Sequence, residues 1–299
     1  MKTKLFLLLL STSILFVNGQ NLGKPKNNTD EVILNNLPEG VVAEFNIPYR
    51  EGNQRWKMDL FRPEKVEKST PAIIFIHGGG FTSGDKRNKG IIRLAMNYAA
   101  QGYVCTAVNY RLSKKGRENR LPGIKDAIAD TKCAVRWMRA NAKKYNINPE
   151  RIGAFGNSAG AHLVCMLGLS PSSAGLEGNG PHTEFSSMVQ AVAAASPPTD
   201  LNLFIDEELP QEYKPLVKQL SPISYVSAES PPFVIFHDES DYVVSVENSK
   251  SFVAALDKAG AKNVKFMLYD NNSGHGAFIK NAKETIPLLE EFYRNALKK

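Results

Sequence analysis

The chain of 299 residues is long enough to bury one sizeable core, and its apolar content of 42% and charged content of 22% are those of a globular protein. Its formal net charge of +7 comes from scattered lysines and arginines, so a nucleic-acid-binding function is disfavoured. The sequence contains neither internal repeats nor low-complexity blocks. These properties fit a single large domain.

The first 20 residues have the three parts of a secretory signal peptide. Lys2 and Lys4 give a basic start, residues 5–17 are mostly apolar, and Gly19 fits the small-residue rule for cleavage before Gln20. The apolar run is shorter than the roughly 20 residues that span a bilayer. We therefore expect a signal peptide at 1–19 and an exported mature protein, periplasmic or extracellular, that is not attached to a membrane.

The polar stretch at 20–38 is predicted to be a flexible linker. The pattern of apolar and polar residues after it indicates one large domain over 39–299, which would be the catalytic domain. Two strands at 41–47 and 54–61 are predicted to form an antiparallel edge, and the apolar run 71–77 is typical of a strand buried on both faces. Strands and helices then alternate: strands at 103–109, 151–155, 189–195, 233–237 and 264–269, helices at 91–101, 124–144, 159–169, 246–259 and 283–297. This alternation predicts an α/β fold with a mostly parallel central sheet of about eight strands and helices on both faces. The proline-rich segment 200–232 is predicted to be a small flap at the carboxyl ends of the strands.

The stretch G-N-S-A-G at 156–160 lies between an apolar strand and a helix. Glycine on both sides of Ser158 allows the sharp strand-to-helix turn that exposes a nucleophilic serine. A serine that only caps a helix would not require glycine at both positions. We therefore predict that Ser158 is a nucleophile.

The stretch H-G-G-G-F at 77–81 directly follows a buried strand. Consecutive glycines leave backbone N–H groups free to point at a tetrahedral oxyanion, so Gly79 and Gly80 are expected to form an oxyanion hole with the amide of Ala159. A phosphate-binding loop fits poorly, because neither G-K-[ST] nor G-x-G-x-x-G spacing is present. Which two of the three glycines donate is left open.

Among five histidines, His275 in G-H-G is the one that comes late enough for the chain order serine, acid, histidine. The acid must reach the far nitrogen of that imidazole from a loop beyond a strand end. The segment H-D-E-S-D after the strand at 233–237 offers Asp238, Glu239 and Asp241, and we select Asp241 because it lies farther into the loop. Asp238 is expected to hold the turn instead.

These motifs resemble those of the α/β-hydrolase esterases and lipases with H-G-G-G and G-x-S-A-G stretches, a group that includes the hormone-sensitive-lipase-related enzymes. The chain is similar in particular to the bacterial acetylxylan and feruloyl esterase branch. Further matching stretches are N-Y-R-L (109–112), I-N-P-E-R-I-G (147–153), S-P-P-T-D-L (196–201) and P-P-F-V-I-F-H-D-E-S-D (231–241). The resemblance extends from Trp56 to the C-terminus. It departs at Ala161, where the family usually has a second glycine, and at Asp238, where His-Gly is common.

The resemblance implies an exported serine esterase that removes acetyl or feruloyl groups from polysaccharide fragments through an acyl-enzyme formed by Ser158, His275 and Asp241. The expected partner is a small ester or an acylated oligosaccharide, with no nucleic acid and no organic cofactor or metal. Phe81, Tyr242 and the flap are candidate pocket walls. Three alternatives stay open: a general short-chain carboxylesterase or lipase, an exported serine peptidase, and a non-catalytic binding protein of the same fold.

The three cysteines, Cys105, Cys133 and Cys165, each lie in an apolar stretch of a predicted strand or helix. Such positions favour buried free thiols, and the spacing is not that of a metal site.

Overall fold

The computed structural model describes residues 28–66, 69–114, 116–204 and 210–297, so the predicted signal peptide and its cleavage site lie outside the described residues. Among the described residues, 28–36 belong to one unit and those from Leu37 onward belong to another. In the first unit the described element is helix α1 (Asn28–Leu34), with Asp30 and Glu31 in its first turn. Acidic residues there favour a helix. The linker predicted over 20–38 therefore contains a short helix, and its flexibility stays a prediction.

The second unit is built on an eight-stranded sheet. Its strands are β1 (Val41–Pro48), β2 (Lys57–Pro63), β3 (Thr70–Ile76), β4 (Val104–Val108), β5 (Ile147–Asn157), β6 (Ala191–Ala195), β7 (Phe233–Asp238) and β8 (Val264–Tyr269). They lie in the order β1-β2-β4-β3-β5-β6-β7-β8. β2 pairs antiparallel with β1 and β4, and every other pair is parallel. The predicted mostly parallel sheet with an antiparallel edge is confirmed.

Helices cover both faces of this sheet. They are α2 (Lys89–Ala100), α3 (Arg120–Ala140), α4 (Ala142–Tyr145), α5 (Ala159–Leu169), α6 (Leu201–Phe204), α7 (Lys214–Leu220), α8 (Glu247–Lys258), α9 (Ala277–Lys280) and α10 (Ala282–Leu297). The sequence predicted one helix over 124–144, and the structure instead ends α3 at Ala140 and begins α4 two residues later. The flap contains α6 and α7.

Alternation along β3 shows how the two layers are filled. Ile74 and Ile76 belong to the apolar cluster that includes residues of α3 and α5. Phe75 faces the other way and packs on Tyr98 of α2, with ring centroids 5.9 Å apart. Tyr98 in turn packs on Tyr293 of α10 at 5.6 Å. Because successive side chains of a strand point to opposite faces, a continuous apolar run here supplies both layers.

The carboxyl ends of the parallel strands meet at one edge of the sheet. The glycine loop follows β3 there, Ser158 follows β5, Asp241 lies just beyond β7 and His275 follows β8. The sheet order thus brings together segments that are far apart in sequence. Across the described residues, no helix is both long enough and apolar enough to cross a membrane.

Candidate active site

Ser158 occupies the tight turn between β5 and α5. Its φ of 54° and ψ of −124° are a conformation that side-chain-bearing residues rarely adopt. A Cβ at Gly156 would lie 2.3 Å from Gly160 O, and a Cβ at Gly160 would lie 2.2 Å from Ile76 O. The Ser158 amide donates to Ala195 O at 2.8 Å, which ties the turn to β6. The two glycines therefore make room for a strained turn at the sheet edge.

The glycine loop that follows β3 packs directly on this turn. A Cβ at Gly78 would lie 3.2 Å from the Cβ of Ser158, so the loop backbone is in contact with the serine. Gly79 has a φ of 117°, and a Cβ there would lie 2.2 Å from Ser83 O. A Cβ at Gly80 would meet only Thr82 Oγ1, at 3.9 Å. Glycine is thus required at 78 and 79 by close approach of other atoms.

Three backbone amides around Ser158 have no partner within the part of the chain that the structure describes. They are the N–H groups of Gly79, Gly80 and Ala159, for which no hydrogen-bond acceptor is recorded. Ala159 is the first residue of α5, so its N–H also lies at the positive end of the helix dipole. Most buried N–H groups in proteins are paired. A developing oxyanion requires backbone N–H donors of this kind.

His77 supports the glycine loop and is not placed to act as a base. Its Nδ1–H donates to Gly78 O at 2.7 Å, and its Nε2 accepts from Arg55 at 3.4 Å. Its ring stacks on Tyr110 with centroids 4.4 Å apart. Burial lowers the pKa of His77 to about 4, so the ring is neutral at neutral pH and keeps these contacts.

Asp241 is fixed in the loop after β7. Its Oδ1 accepts the amides of Val243 at 2.9 Å and Val244 at 3.0 Å, and its side chain has no exposed surface. Burial opposes ionisation of this carboxyl, yet hydrogen bonds from His237 and His275 hold its pKa well below the usual range. Asp241 is therefore a carboxylate at any pH where the protein is expected to work.

His275 Nδ1 lies 2.8 Å from Asp241 Oδ2. Because a carboxylate only accepts, Nδ1 carries the hydrogen and Nε2 is left as the basic nitrogen. The His275 side chain is 25% exposed, so the ring is partly open to solvent. The predicted pair of acid and histidine, 34 residues apart in sequence, is thus in contact in the structure.

Phe278 anchors the segment that follows His275 on the central strands. It lies in α9 and packs on Phe155 of β5 at 4.9 Å and on Phe236 of β7 at 5.1 Å between ring centroids. Phe155 is three residues before Ser158. Within the described residues, no hydrogen bond joins the Ser158 hydroxyl to the His275 ring in this conformation. Such bonds are often long until a substrate is bound.

Asp238, the other acid candidate, contacts the same loop in a different way. Its Oδ2 accepts from the amide and hydroxyl of Ser273, and its Oδ1 accepts from those of Ser240. It therefore holds the turn, as the sequence predicts, and also the loop that carries His275, which the sequence did not predict. The sequence signal for this contact was a polar residue, Ser273, two positions before the candidate base His275.

The other histidines are accounted for by local contacts. His162 is fully buried, its Nε2–H donates to Leu220 O at 2.7 Å, and burial lowers its pKa to about 4. His182 lies in the loop before β6 with a φ of 63°. His237 contacts Asp241, a position that chain order alone does not reveal.

The two predicted pocket residues differ in exposure. Phe81 is fully buried and packs edge-on against His162 at 5.3 Å, so it presents no surface to a ligand in this conformation. Tyr242 is 92% exposed, on the loop that follows Asp241. Its role as a pocket wall stays a prediction.

The flap adds an aromatic residue that sequence analysis missed. Phe204 is half-buried at the end of α6 and packs on Phe81 at 6.4 Å, with the Arg120 guanidinium 5.0 Å above its ring. Residues 205–209 of the predicted flap lie outside the described residues. The signal for Phe204 was an aromatic residue in an otherwise polar, proline-rich segment.

Cys105, Cys133 and Cys165 are buried free thiols. Among the described residues, no three histidine, cysteine, aspartate or glutamate side chains are grouped so as to hold a metal ion.

Comparison with known proteins places this geometry in a family. A family model described as BD-FAE matches residues 58–256, which contain the glycine loop, Ser158 and Asp241. The chain belongs to the BD-FAE family. The sheet order and the serine turn of this BD-FAE member are those of an α/β-hydrolase, and the predicted fold is confirmed.

Esterase LipQ of Mycobacterium tuberculosis is 31% identical to this BD-FAE member over 252 residues, covering 78% of the chain and 56% of LipQ. The chain spans little more than half the length of the mycobacterial esterases that it matches.

Two solved structures share the fold. Esterase 2 of the Planctomycetes species Thermogutta terrifontis, with butyrate bound, is 26% identical with a TM-score of 0.70, covering 85% of this chain and 93% of that one. The same esterase has been solved phosphorylated by paraoxon. A truncated carbohydrate esterase from gut microbiota has a TM-score of 0.76 at 24% identity, covering 88% of this chain and 99% of that one, which shows the fold alone.

Proposed function

We propose that this BD-FAE member is a serine esterase that hydrolyses carboxylic esters through an acyl-enzyme. Ser158 is the nucleophile, His275 the general base and Asp241 the carboxylate that orients it. The observation that carries the proposal is the 2.8 Å hydrogen bond from His275 Nδ1 to Asp241, at the same sheet edge as the strained turn at Ser158. The names of relatives such as LipQ and T. terrifontis esterase 2 support the reaction class.

In the first half-reaction, Ser158 Oγ attacks the ester carbonyl while His275 Nε2 takes its proton. Asp241 stabilises the imidazolium that forms without taking the proton itself. The imidazolium then protonates the leaving alcohol oxygen as the ester C–O bond breaks. The product of this half-reaction is an acyl-enzyme on Ser158.

In the second half-reaction, water repeats the attack on the acyl-enzyme. His275 accepts a proton from the water as the new C–O bond forms, and returns a proton to Ser158 Oγ as the acid leaves. The enzyme is restored with the same tautomer of His275 that Asp241 holds at the start.

The oxyanion of both tetrahedral intermediates is proposed to lie against the N–H groups of Gly79, Gly80 and Ala159. Each preorganised donor of this kind contributes about 100-fold to 1,000-fold in turnover. His77 and Arg55 would hold the glycine loop in place for this contact, since both bond to atoms of the loop or its flanks.

Kinetics of the Ser158→Ala variant test this assignment. Turnover is expected to fall on the order of a million-fold, as in a triad that has lost its nucleophile. Ser173→Ala, an exposed serine on the loop after α5, is the matched control and should keep wild-type turnover. Retention of more than a few per cent of activity by purified Ser158→Ala would rule Ser158 out.

For the natural substrate, we propose acetyl or feruloyl groups on polysaccharide fragments. The resemblance of the motifs to acetylxylan and feruloyl esterases supports this class, and so does the predicted export. Tyr242 offers an exposed ring face of the kind that packs on sugar rings. A panel of acetylated and feruloylated xylo-oligosaccharides, with acetate and ferulate measured separately, is the direct test.

A general short-chain carboxylesterase is the second candidate. It is favoured by the butyrate-bound structure of T. terrifontis esterase 2. The same panel, extended by aryl acetate, butyrate and hexanoate, separates the two. A preference of kcat/KM for acylated oligosaccharides supports the first candidate, and higher values on simple aryl esters support the second.

We also propose that the protein is exported, with cleavage between Gly19 and Gln20. Support comes from the basic, apolar and small-residue order of the first 19 residues. N-terminal sequencing of the mature protein should begin at Gln20. A mature chain that begins at Met1 would contradict export.

A further inference from the structure

His237, near the end of β7, is fully buried against the candidate acid. Its Nε2 lies 3.2 Å from Asp241 Oδ2, the same oxygen that accepts from His275 Nδ1. Two imidazoles thus share one carboxylate oxygen. The acyl-transfer steps described above use only one of them, so the second has no role there.

The hydrogen bonds of His237 define its tautomer. Its Nε2 lies 2.9 Å from Val244 O, which only accepts, so Nε2 carries a hydrogen. Its Nδ1 lies 2.7 Å from the Ser249 hydroxyl, which donates to it. A ring with a hydrogen on Nε2 and an accepting Nδ1 has partners at both nitrogens. Its Nε2–H is then shared between Val244 O and Asp241 Oδ2.

We propose that His237 is a positioning residue for the esterase reaction, which holds Asp241 Oδ2 in line with His275 and withdraws part of the charge of that oxygen. This inference rests on the proposed function of Asp241 and His275. The two amides on Oδ1 fix one end of the carboxylate, and His237 fixes the other. A carboxylate fixed at both ends holds the base in one orientation, which is what the acid of a triad contributes.

Among the described residues, the other charged groups near His237 lie on β7 and α8. On β7, the carboxylate of Asp238 accepts hydrogen bonds from two serines. On α8, Lys250 pairs with Glu247 at 3.5 Å and with Glu239 at 2.9 Å. The neighbouring strand β6 contains only alanine and valine, and the β8 residue opposite His237 is a leucine. The groups that titrate in direct contact with His237 therefore reduce to Asp241, with His275 behind it.

The test compares His237→Met with His237→Gln in the full-length enzyme. Met fills the volume without a donor, whereas a Gln side-chain amide reaches the place of Nε2 and keeps an N–H. In His237→Met, kcat should fall about tenfold with KM within twofold, because His275 loses orientation. Without the competing donor, Asp241 stabilises the imidazolium of His275 more, so the acid limb of the kcat/KM profile should move up by about half a pH unit.

His237→Gln retains the hydrogen bond to Asp241. Its kcat should therefore be within about twofold of wild type, and the acid limb of its kcat/KM profile within about a tenth of a pH unit. His162→Gln is the matched control for loss of a buried imidazole, because that ring bonds to Leu220 O and not to Asp241. It should keep the wild-type acid limb. If His237→Met does not fold, His237→Asn, whose amide is too short for Asp241, takes its place in the comparison.

An unchanged acid limb and kcat in His237→Met, or an equal displacement in His237→Gln, would overturn the inference. Failure of the proposed function has a different signature, because Ser158→Ala would then retain activity. If Ser158→Ala is inactive and the His237 variants match wild type, only the role of His237 is wrong.

Discussion

Asp238 Oδ2 accepts two hydrogen bonds from Ser273, one from its amide at 3.1 Å and one from its hydroxyl at 2.7 Å. Ser273 is two residues before His275, so this contact ties the histidine loop to the end of β7. Asp238 Oδ1 meanwhile accepts the Ser240 amide at 2.9 Å, in the loop that leads to Asp241. One fully buried carboxylate therefore joins the loop of the base to the loop of the acid.

Replacement of Asp238 by Asn should weaken this connection between the two loops. An amide has one accepting oxygen, so the donors on one side of the group lose their acceptor. A buried donor without a partner costs about 1 to 3 kcal/mol, and the free energy of unfolding in urea should fall by that amount. We expect kcat to fall about tenfold, because His275 is held less well. Glu239→Gln, an exposed neighbour, is the control and should match wild type; equal effects of the two variants would contradict the role of Asp238.

Stability should fall as the pH is lowered from about 6.5 towards 4. Burial lowers the pKa of both His77 and His162 from 6.5 to about 4. In this window the unfolded chain binds protons that the folded protein does not, so each group removes about 1.4 kcal/mol of stability per pH unit, and the loss is absent above the unfolded value. Asp238 and Asp241, whose pKa values are depressed, contribute no loss until the pH falls below about 4.

Urea denaturation at pH 7, 6 and 5 measures this slope. His162→Gln removes one of the two groups and should reduce the slope between pH 6 and 5 by about half. An unfolding free energy that stays constant from pH 7 to 5 would contradict the assignment of two buried neutral histidines.

Alanine at Gly160 should damage the serine turn. Its Cβ would lie 2.2 Å from Ile76 O, so α5 would have to move away from β3. Overpacking against the backbone costs about 1 to 3 kcal/mol, and displacement of Ala159 should lower kcat by more than tenfold. Gly90→Ala, in the first turn of α2, has only Asn88 Oδ1 at 3.3 Å and should be neutral or slightly stabilising. Similar melting temperatures for the two variants would argue against close packing at Gly160.

Substitution of Tyr242 by Ala should affect the hydrolysis of sugar esters and of simple aryl esters differently. Because the ring is 92% exposed, its loss should leave the melting temperature unchanged. If the ring packs on a sugar, KM for an acetylated xylo-oligosaccharide should rise by several-fold, with KM for phenyl acetate unchanged. Steady-state kinetics on both substrates provide the measurement. An equal change on the two substrates would exclude a sugar-binding role.

The sheet and the contact between Asp241 and His275 could be predicted because they depend on order along the chain. Alternating strands and helices define a parallel sheet, and the carboxyl ends of its strands meet at one edge. A loop after β7 and a later loop after β8 must then face each other. Selection of Asp241 over Asp238 needed only the distance of each residue from the strand end.

Contacts that depend on side-chain direction could not be predicted. Sequence spacing places Asp238 near a strand end and Ser273 in a loop, but it does not show that they face each other across 35 residues. For the same reason, the sequence identified His237 only as the end of a strand. It also predicted that Phe81 is a pocket wall, although Phe81 is fully buried. Helix α1 was missed because a helix of seven residues is too short to show an apolar periodicity.

Covalent labelling of Ser158 tests the central claim most directly. Paraoxon should transfer one diethylphosphoryl group to the enzyme, and peptide mass spectrometry should place it on Ser158. Ser158→Ala should gain no such mass, and His275→Ala should react much more slowly. A phosphoryl group on another residue, or an active enzyme that paraoxon leaves unmodified and uninhibited, would contradict the account.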